Sequence, residues 1–240
     1  MEYGLIGEHL GHSFSKEIHG NIGDYPYEIK ELAPDMLERF ITEKDFKGIN
    51  VTIPYKQSVM PYLDYIDERA LEIGAVNTIV NKDGRLYGYN TDFFGMQALL
   101  LREKMELAGG KVLILGSGGT SHTAEAVAKS LGAASIINVS RESREGAVTY
   151  EEAYAIHSDV NFLINTTPCG MYPNIEGVPL DIERFKGLKG VADAIYNPLC
   201  SELVLRARKK GIIATGGLFM LVAQAVRASE LFFDTKYEDR

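Results

Sequence analysis

The sequence predicts an α/β protein of two layered domains, and three observations carry that reading. Strand-like and helical segments alternate along most of the 240 residues. In the second half a run of buried-type residues, Val112 to Leu115, breaks into Gly116-Ser117-Gly118-Gly119 and continues as a helical repeat of small residues, Ala124, Ala126 and Ala128. The first half ends in a hairpin pattern, two alternating runs around Lys82-Asp83-Gly84-Arg85.

In order, Glu2 to Ile6 reads as a short strand ending at Gly7, followed by a polar turn from Glu8 to Ser15. A helix is expected from Ser15, with Ser15 itself as N-cap. Tyr27 to Leu32 alternates as a second strand, Pro34 opens a helix to about Glu43, and Lys47 to Thr52 is a third strand closed by Pro54. Asp67 to Ile73 is helical and stops at Gly74. Val76 to Asn81 and Leu86 to Tyr89 make the hairpin, so an α/β layer domain ends near Asn90. Asp92 to about Leu107 is helical, and Ala108-Gly109-Gly110 breaks it as a hinge. The second half then alternates as Val112–Leu115, Thr120–Leu131, Ala134–Val139, Tyr150–Ala155, Phe162–Asn165, Gly190–Ala194, Ser201–Lys210 and Ile212–Thr215. That rhythm implies parallel strands joined by right-handed crossovers, a doubly wound sheet. Gly216 to Phe233 reads as a final apolar helix.

The composition excludes several classes. The chain is 45% hydrophobic and 24% charged with a net charge of −8, which argues against a nucleic-acid binder. Cys169 and Cys200 have no metal-ligand spacing, no His or Cys cluster calls for a metal, and a reducing compartment is the default. No basic n-region and no membrane-length apolar run is present. A soluble cytoplasmic protein is expected, without membrane partners. His12, His19, His122 and His157 are expected as polar surface or turn residues.

The glycine turn suits two readings. Gly116 allows a sharp exit from the strand, Gly118 lets a backbone approach a diphosphate, and the first free helix amides point at it. An ordinary βα turn has the same pattern. In the first half, polar residues stand where strands end: Ser13 and Ser15 in GHSFS, Thr52 and Lys56 in GINVTIPYK, Asn77 in GAVNT, and Asp92 in GYNTD. Hydroxyls, an amide, a lysine and a carboxylate are the groups that hold a small polyhydroxylated acid. Each also has a plain structural use: Asp92 as an N-cap, Ser13 and Ser15 as turn and cap residues, Lys56 as a solvated surface lysine.

Taken together, GHSFSKEIH, GINVTIPYK, GAVNT, GYNTDFFG, GSGGTSHTA, INTTPCGM, DAIYNP and GGLFMLVAQA, in this order from Gly11 to Ala225, resemble the shikimate dehydrogenase family. The resemblance implies reversible, nicotinamide-dependent conversion of 3-dehydroshikimate to shikimate on the route to aromatic amino acids. It implies a substrate-binding domain over residues 1–91 completed by a C-terminal helix over 216–235, a connecting helix and hinge over 92–110, and a Rossmann-type dinucleotide-binding domain over 111–215. Ser13 and Ser15 would hold the substrate carboxylate with Tyr196 nearby. Thr52, Asn77 and Gln224 would bond ring hydroxyls, and Lys56 and Asp92 would flank the hydroxyl that is oxidised. Lys56 could act as general base or as an orienting, electrostatic group.

For the cofactor, the glycine turn would supply Gly116, Ser117, Gly118, Gly119 and Thr120. The Asn165-to-Met171 loop, with Thr166, Thr167 and Met171, would lie along ribose and nicotinamide, and Gly217 belongs to the same set. An NAD site places a carboxylate after the second strand, and an NADP site prefers arginine there. Ser140 and Arg141, with Arg144 as a second partner, fit NADP; Glu142 beside them keeps NAD open. Cys169 has no helper residue and is not read as a nucleophile. The rival readings are a quinate/shikimate dehydrogenase using NAD and a shikimate-binding relative without catalysis; monomer and homodimer both remain open.

Overall fold

The first strand of the chain, β1 (Tyr3–Gly7), is buried along its whole length, and the first sheet is laid around it. The structure is a computed structural model and describes residues 1–11, 13–142 and 145–237. The chain divides into a first unit, Met1–Phe94 with Val222–Arg240, and a second, Gly95–Leu221.

In the first unit β2 (Glu28–Glu31) and β3 (Gly48–Val51) run parallel to β1 on its two sides. A two-residue strand that the sequence pattern does not announce, β4 (Tyr65–Ile66), forms the far edge. Between it and β3 lies the antiparallel hairpin of β5 (Thr78–Lys82) and β6 (Arg85–Tyr89). Asp83 and Gly84 have φ of 52° and 83°, as a two-residue hairpin turn matched to strand twist requires.

The period-2 alternation of these strands decides what covers each face. Ile6, Ile49, Val51 and Ile79 pack with α2 (Leu37–Glu43), α3 (Tyr55–Ser58) and α4 (Glu68–Ile73) through Ile41, Tyr55 and Ala70. Tyr3, Leu5 and Val80 pack on the other face with Tyr27, Ala228 and Phe232. A Cβ at Gly48 would overlap the Phe232 ring, so glycine there lets the last helix close on the sheet.

Helix ends explain three departures from the sequence expectation. The helix α1 (Ser15–Ile22) begins at Ser15 without a side-chain cap at Phe14; the Ser15 amide donates instead to Ser13 Oγ at 3.3 Å. Ser15 is therefore the first helical residue and not the cap. Residues Pro34–Met36 form a 3-10 turn before α2. The helix α5 (Thr91–Arg102) stops short of Leu107 because Lys104 takes φ 53°, with Lys104 N–H on Leu101 O and Met105 N–H on Leu100 O. Met105 and Leu107 stay buried beyond that end, which prolongs the apolar pattern without prolonging the helix.

His19 is not a surface residue. It is 1% exposed and stacks on Tyr27 at 3.9 Å between ring centroids, 8° from parallel. Burial lowers its pKa from 6.5 to about 4, against a smaller raising effect of Asn50. Between those two values the unfolded chain binds a proton that the folded chain refuses, so stability falls as pH drops. By pH 5 the loss is about 2 kcal/mol. Burial raises the Asp193 carboxyl, which works in the opposite direction on acidification. The His19 contribution is therefore read as a difference: between pH 7 and pH 5 wild type should lose more Tm than His19→Gln, and equal losses would remove His19 from the acid response.

In the second unit, β7 (Lys111–Leu115), β8 (Ser135–Val139), β9 (Phe162–Asn165), β10 (Gly190–Asp193) and β11 (Ile213–Thr215) form one parallel sheet in the order β11-β10-β9-β7-β8. The intervening helices are α6 (Gly119–Ser130), α7 (Tyr150–Ile156) and α8 (Glu202–Lys209), and α9 (Leu218–Phe233) follows β11. Leu113, Leu115, Leu163 and Val191 pack on α8 through Leu203, Val204 and Ala207, with Leu180 and Phe185 of the long β9–β10 connection. On β7, Val112 and Ile114 point the other way, toward the side that α6 covers. The strand order reverses between β7 and β9, which is where open α/β sheets bind ligands. Among the described residues no helix is long and apolar enough to cross a membrane.

Candidate active site

In the first unit, β3 delivers Thr52 at its end and α3 then places Lys56, while α5 opens with Thr91 and Asp92. Lys56 Nζ and Asp92 Oδ2 lie 2.6 Å apart, with side chains 24% and 18% exposed. Asp92 is not the helix cap. Asn90 Oδ1 accepts the Phe93 amide at 3.2 Å and does that work, which leaves the Asp92 carboxylate to Lys56. A solvated pair would be mobile; this one is anchored through the backbone, since Lys56 O accepts the Val76 amide at 2.8 Å just before Asn77.

Asn77 is 4% exposed, and its Oδ1 is the meeting point of the hydrogen bonds around it. It accepts from the Thr91 amide at 2.7 Å, from Thr78 Oγ1 at 3.1 Å and from Thr91 Oγ1 at 3.2 Å. Its NH2 is then the end turned to donate to a ligand. Thr91 Oγ1 also lies 3.3 Å from Gln224 Oε1, so Asn77 and Gln224 meet at Thr91, the residue before Asp92. Val51 N–H donates to Asn77 O and Thr52 N–H to Ile6 O, which fixes Thr52 beside the same strand ends. Ser13 Oγ and Ser15 Oγ lie 3.2 Å apart at the start of α1.

The second unit gathers the residues read as a cofactor site. Gly116 takes φ 109°, and a Cβ there would stand 2.6 Å from Thr166 Oγ1, so the turn after β7 admits only glycine. Cβ atoms at Gly118 and Gly119 would meet nothing within 4 Å, and Ser117, Gly118 and Gly119 are exposed at the N-terminus of α6 with Thr120 behind them. Unpaired amides facing open space at a helix start are what a phosphate needs. Thr166 Oγ1 donates to Leu115 O at 2.5 Å and Thr167 Oγ1 to Asn165 Oδ1 at 2.7 Å, tying this loop to the switch point. Met171 is 43% exposed. Ser140 N–H donates to Val148 O at 2.9 Å at the end of β8, and Arg141 is exposed next to it. Arg144 lies outside the described residues.

Gly217 and Tyr196 both lie in the second unit. At Gly217 a Cβ would run into Ala194 O, so the need for glycine there comes from packing within the unit. Tyr196 belongs to the second unit and its phenol is pushed up by burial. At Cys169 burial pushes the thiol up and the Asp193 charge adds to it, which suits a thiol and not a nucleophilic thiolate.

Sequence reasoning missed a buried group in each unit. Asp193, 0% exposed, accepts from Asn165 Nδ2 at 2.9 Å, from the Ile195 amide at 3.1 Å and from Ser201 Oγ at 2.5 Å. It holds the loop of Thr166 and Thr167, the segment of Tyr196 and the first turn of α8 together. Asn50, 6% exposed on β3, bonds Tyr27, Thr78 and Asn77. The available signal is a polar residue at an inward position of an otherwise apolar strand.

Residues 5–79 match the family described as the shikimate dehydrogenase substrate binding domain. The chain is 39% identical to a shikimate dehydrogenase (NADP(+)) of Clostridium perfringens over 259 aligned positions, covering 98% of this chain and 93% of the relative. It superposes on a chorismate mutase/shikimate 5-dehydrogenase fusion protein from Clostridium acetobutylicum with a TM-score of 0.92 at 34% identity, covering 98% of this chain and 91% of the other. For the Thermus thermophilus shikimate 5-dehydrogenase in complex with NADP(H) and shikimate, the TM-score is 0.88 at 27% identity, with 99% and 95% covered.

Proposed function

The chain belongs to the shikimate dehydrogenase family, and we propose on that premise that its Lys56 and Asp92 are the catalytic pair of an NADP-dependent shikimate dehydrogenase. The enzyme interconverts 3-dehydroshikimate and shikimate. The observation that carries the assignment of residues is the 2.6 Å contact of Lys56 with Asp92, next to the Asn77–Thr91–Gln224 set. Substrate binding falls to residues 1–91 with the C-terminal helix, and cofactor binding to residues 111–215.

Held by the Gly116–Thr120 turn and Arg141, NADP would supply the hydride acceptor for alcohol oxidation and, reduced, the hydride donor for the ketone. The proton on the alcohol oxygen is left to the protein. Asp92 holds the Lys56 ammonium in place, and that ammonium donates to the oxygen as the ketone is reduced, then recovers the proton in the reverse direction. Asn77 and Gln224 orient the ring through their NH2 ends, with Thr52 beside them. Ser13 and Ser15 take the carboxylate, which keeps its charge throughout.

For the cofactor, the open amides at Gly118 and Gly119 fit a diphosphate, and Arg141 fits a 2′-phosphate. Reduced-nicotinamide absorbance measured with shikimate or quinate and with NADP or NAD tests the reading: shikimate with NADP should be the active combination. Arg141→Ala should raise KM for NADP on the order of tenfold to a hundredfold, the scale for hydrogen bonds to a charged group, and leave NAD nearly unchanged. Equal use of NAD by wild type would show that Glu142, not Arg141, sets the preference. Activity on quinate alone would move the substrate assignment.

A further inference from the structure

We infer that Asp193 and Asn165 are positioning residues that set the Thr167–Met171 turn on the nicotinamide side of the cofactor site; the inference rests on the cofactor reading just given. The two stand opposite each other at the last positions of β10 and β9. Leu163 and Val191, two residues earlier, pack on α8, so strand alternation sends Asn165 and Asp193 to that same side. A carboxamide and a carboxyl group buried there are costly unless their bonds are made. Asp193 Oδ1 accepts Asn165 Nδ2 at 2.9 Å and the Ile195 amide at 3.1 Å, and Oδ2 meets Ser201 Oγ, the cap of α8, at 2.5 Å.

The direction of each bond decides what reaches the loop. The Ile195 amide can only donate, so Asp193 Oδ1 is an acceptor whatever Oδ2 does. Facing that oxygen, Asn165 turns its NH2 to β10 and its carbonyl to the loop. There Asn165 Oδ1 collects the Thr167 amide at 3.1 Å and Thr167 Oγ1 at 2.7 Å. With its proton spent, Thr167 Oγ1 accepts the Cys169 amide at 3.3 Å, and the Met171 amide closes the turn on Pro168 O at 3.1 Å. Thr166 Oγ1 is turned inward as well, onto Leu115 O. Both threonine protons therefore serve the shape of the loop, which is left to meet a ligand with its backbone and with Met171. Asp193 and Asn165 are both 0% exposed, so they touch no ligand and act through the turn.

The test is calorimetric titration of the substrate-free protein with NADP and with 2′,5′-ADP, which has the adenosine and its 2′-phosphate but no nicotinamide, beside thermal melting. Asp193→Leu removes the acceptor, so the Asn165 carboxamide loses its fixed direction. Kd for NADP should rise roughly tenfold, with Kd for 2′,5′-ADP within about twofold of wild type. Asp193→Asn keeps Oδ1 for Asn165 and Ile195 and turns its NH2 to Ser201 Oγ, so it should bind NADP as wild type does. Should Asp193→Leu fail to fold, Thr167→Val carries the test. It keeps the shape and deletes the hydroxyl between Asn165 and Cys169, with the same expected loss, and Thr167→Ser should recover most of it. Val204→Ala, a core truncation in α8, should lower Tm and leave both Kd values unchanged. Unchanged NADP affinity in Asp193→Leu or Thr167→Val, an equal loss for 2′,5′-ADP, or the same loss in Val204→Ala overturns the positioning role and leaves the proposed function standing. A wild type that binds neither NADP nor 2′,5′-ADP overturns the cofactor reading, and the positioning role with it.

Discussion

Lys56→Ala should lower turnover of shikimate by roughly two orders of magnitude or more, the scale of a lost proton-transfer group, while KM changes less. The ammonium sits 2.6 Å from Asp92, at the start of a short helix whose backbone is tied to Val76, the residue before Asn77. In the proposed roles, truncation removes the proton carrier without disturbing the Ser13–Ser15 turn or the amide of Asn77, so ground-state binding should survive. Stopped-flow absorbance of the reduced nicotinamide, set beside the steady-state rate, tells a slow chemical step from slow product release. Near-wild-type turnover would return Lys56 to an ordinary surface lysine.

Asp92→Asn should also cut turnover strongly, by about one to two orders of magnitude, because the amide keeps the shape of the carboxylate and loses the charge that holds the ammonium. Helix capping is not at stake, since Asn90 performs it. A fall in activity without a fall in Tm is therefore expected. The double variant should be little worse than the worse single one, as for residues that act as a unit. Multiplicative losses would show that the two side chains act separately.

Much of the architecture is legible in the chain because local rules and tertiary packing agree. The apolar run into Gly116 predicts a parallel strand and a turn, and Gly116 is held at positive φ against Thr166. The Asp83-Gly84 turn and the stop at Gly74 follow from the conformations those residues permit. Where sequence pattern and structure differ, two residues of similar chemistry stand close together, or a tertiary contact overrides a local pattern. Asn90 and Asp92 both suit a cap, and only the position of Lys56 separates their roles. Ser13 and Ser15 exchange parts for the same reason. Met105 and Leu107 continue the apolar rhythm of α5 because the core continues, though the backbone has already turned at Lys104.

The polar groups of the interior are the least legible. His19 is buried by Tyr27 and Phe232, and no pattern near residue 19 announces either neighbour. Asp193 looks like the frayed end of a strand until Asn165 and Ser201 arrive from other elements. Arg141 can be placed by its strand, whereas the balance between it and Glu142 depends on where two exposed side chains point in the presence of a phosphate.

The fit of Phe232 over Gly48 sets an order on the birth of the protein. Residues 1–94 leave the ribosome first, but the face of their sheet that carries Tyr3, Leu5 and Val80 is covered by side chains from the last stretch of chain, Ala228 and Phe232. At translation speeds of about 5–20 residues per second, the intervening Gly95–Leu221 keeps that face waiting for roughly six to twenty-five seconds. The middle unit has all its strands in hand by then and can fold while the first is still open. The first unit, begun before the second, is finished after it, and until then its open sheet face is exposed to aggregation and to chaperones.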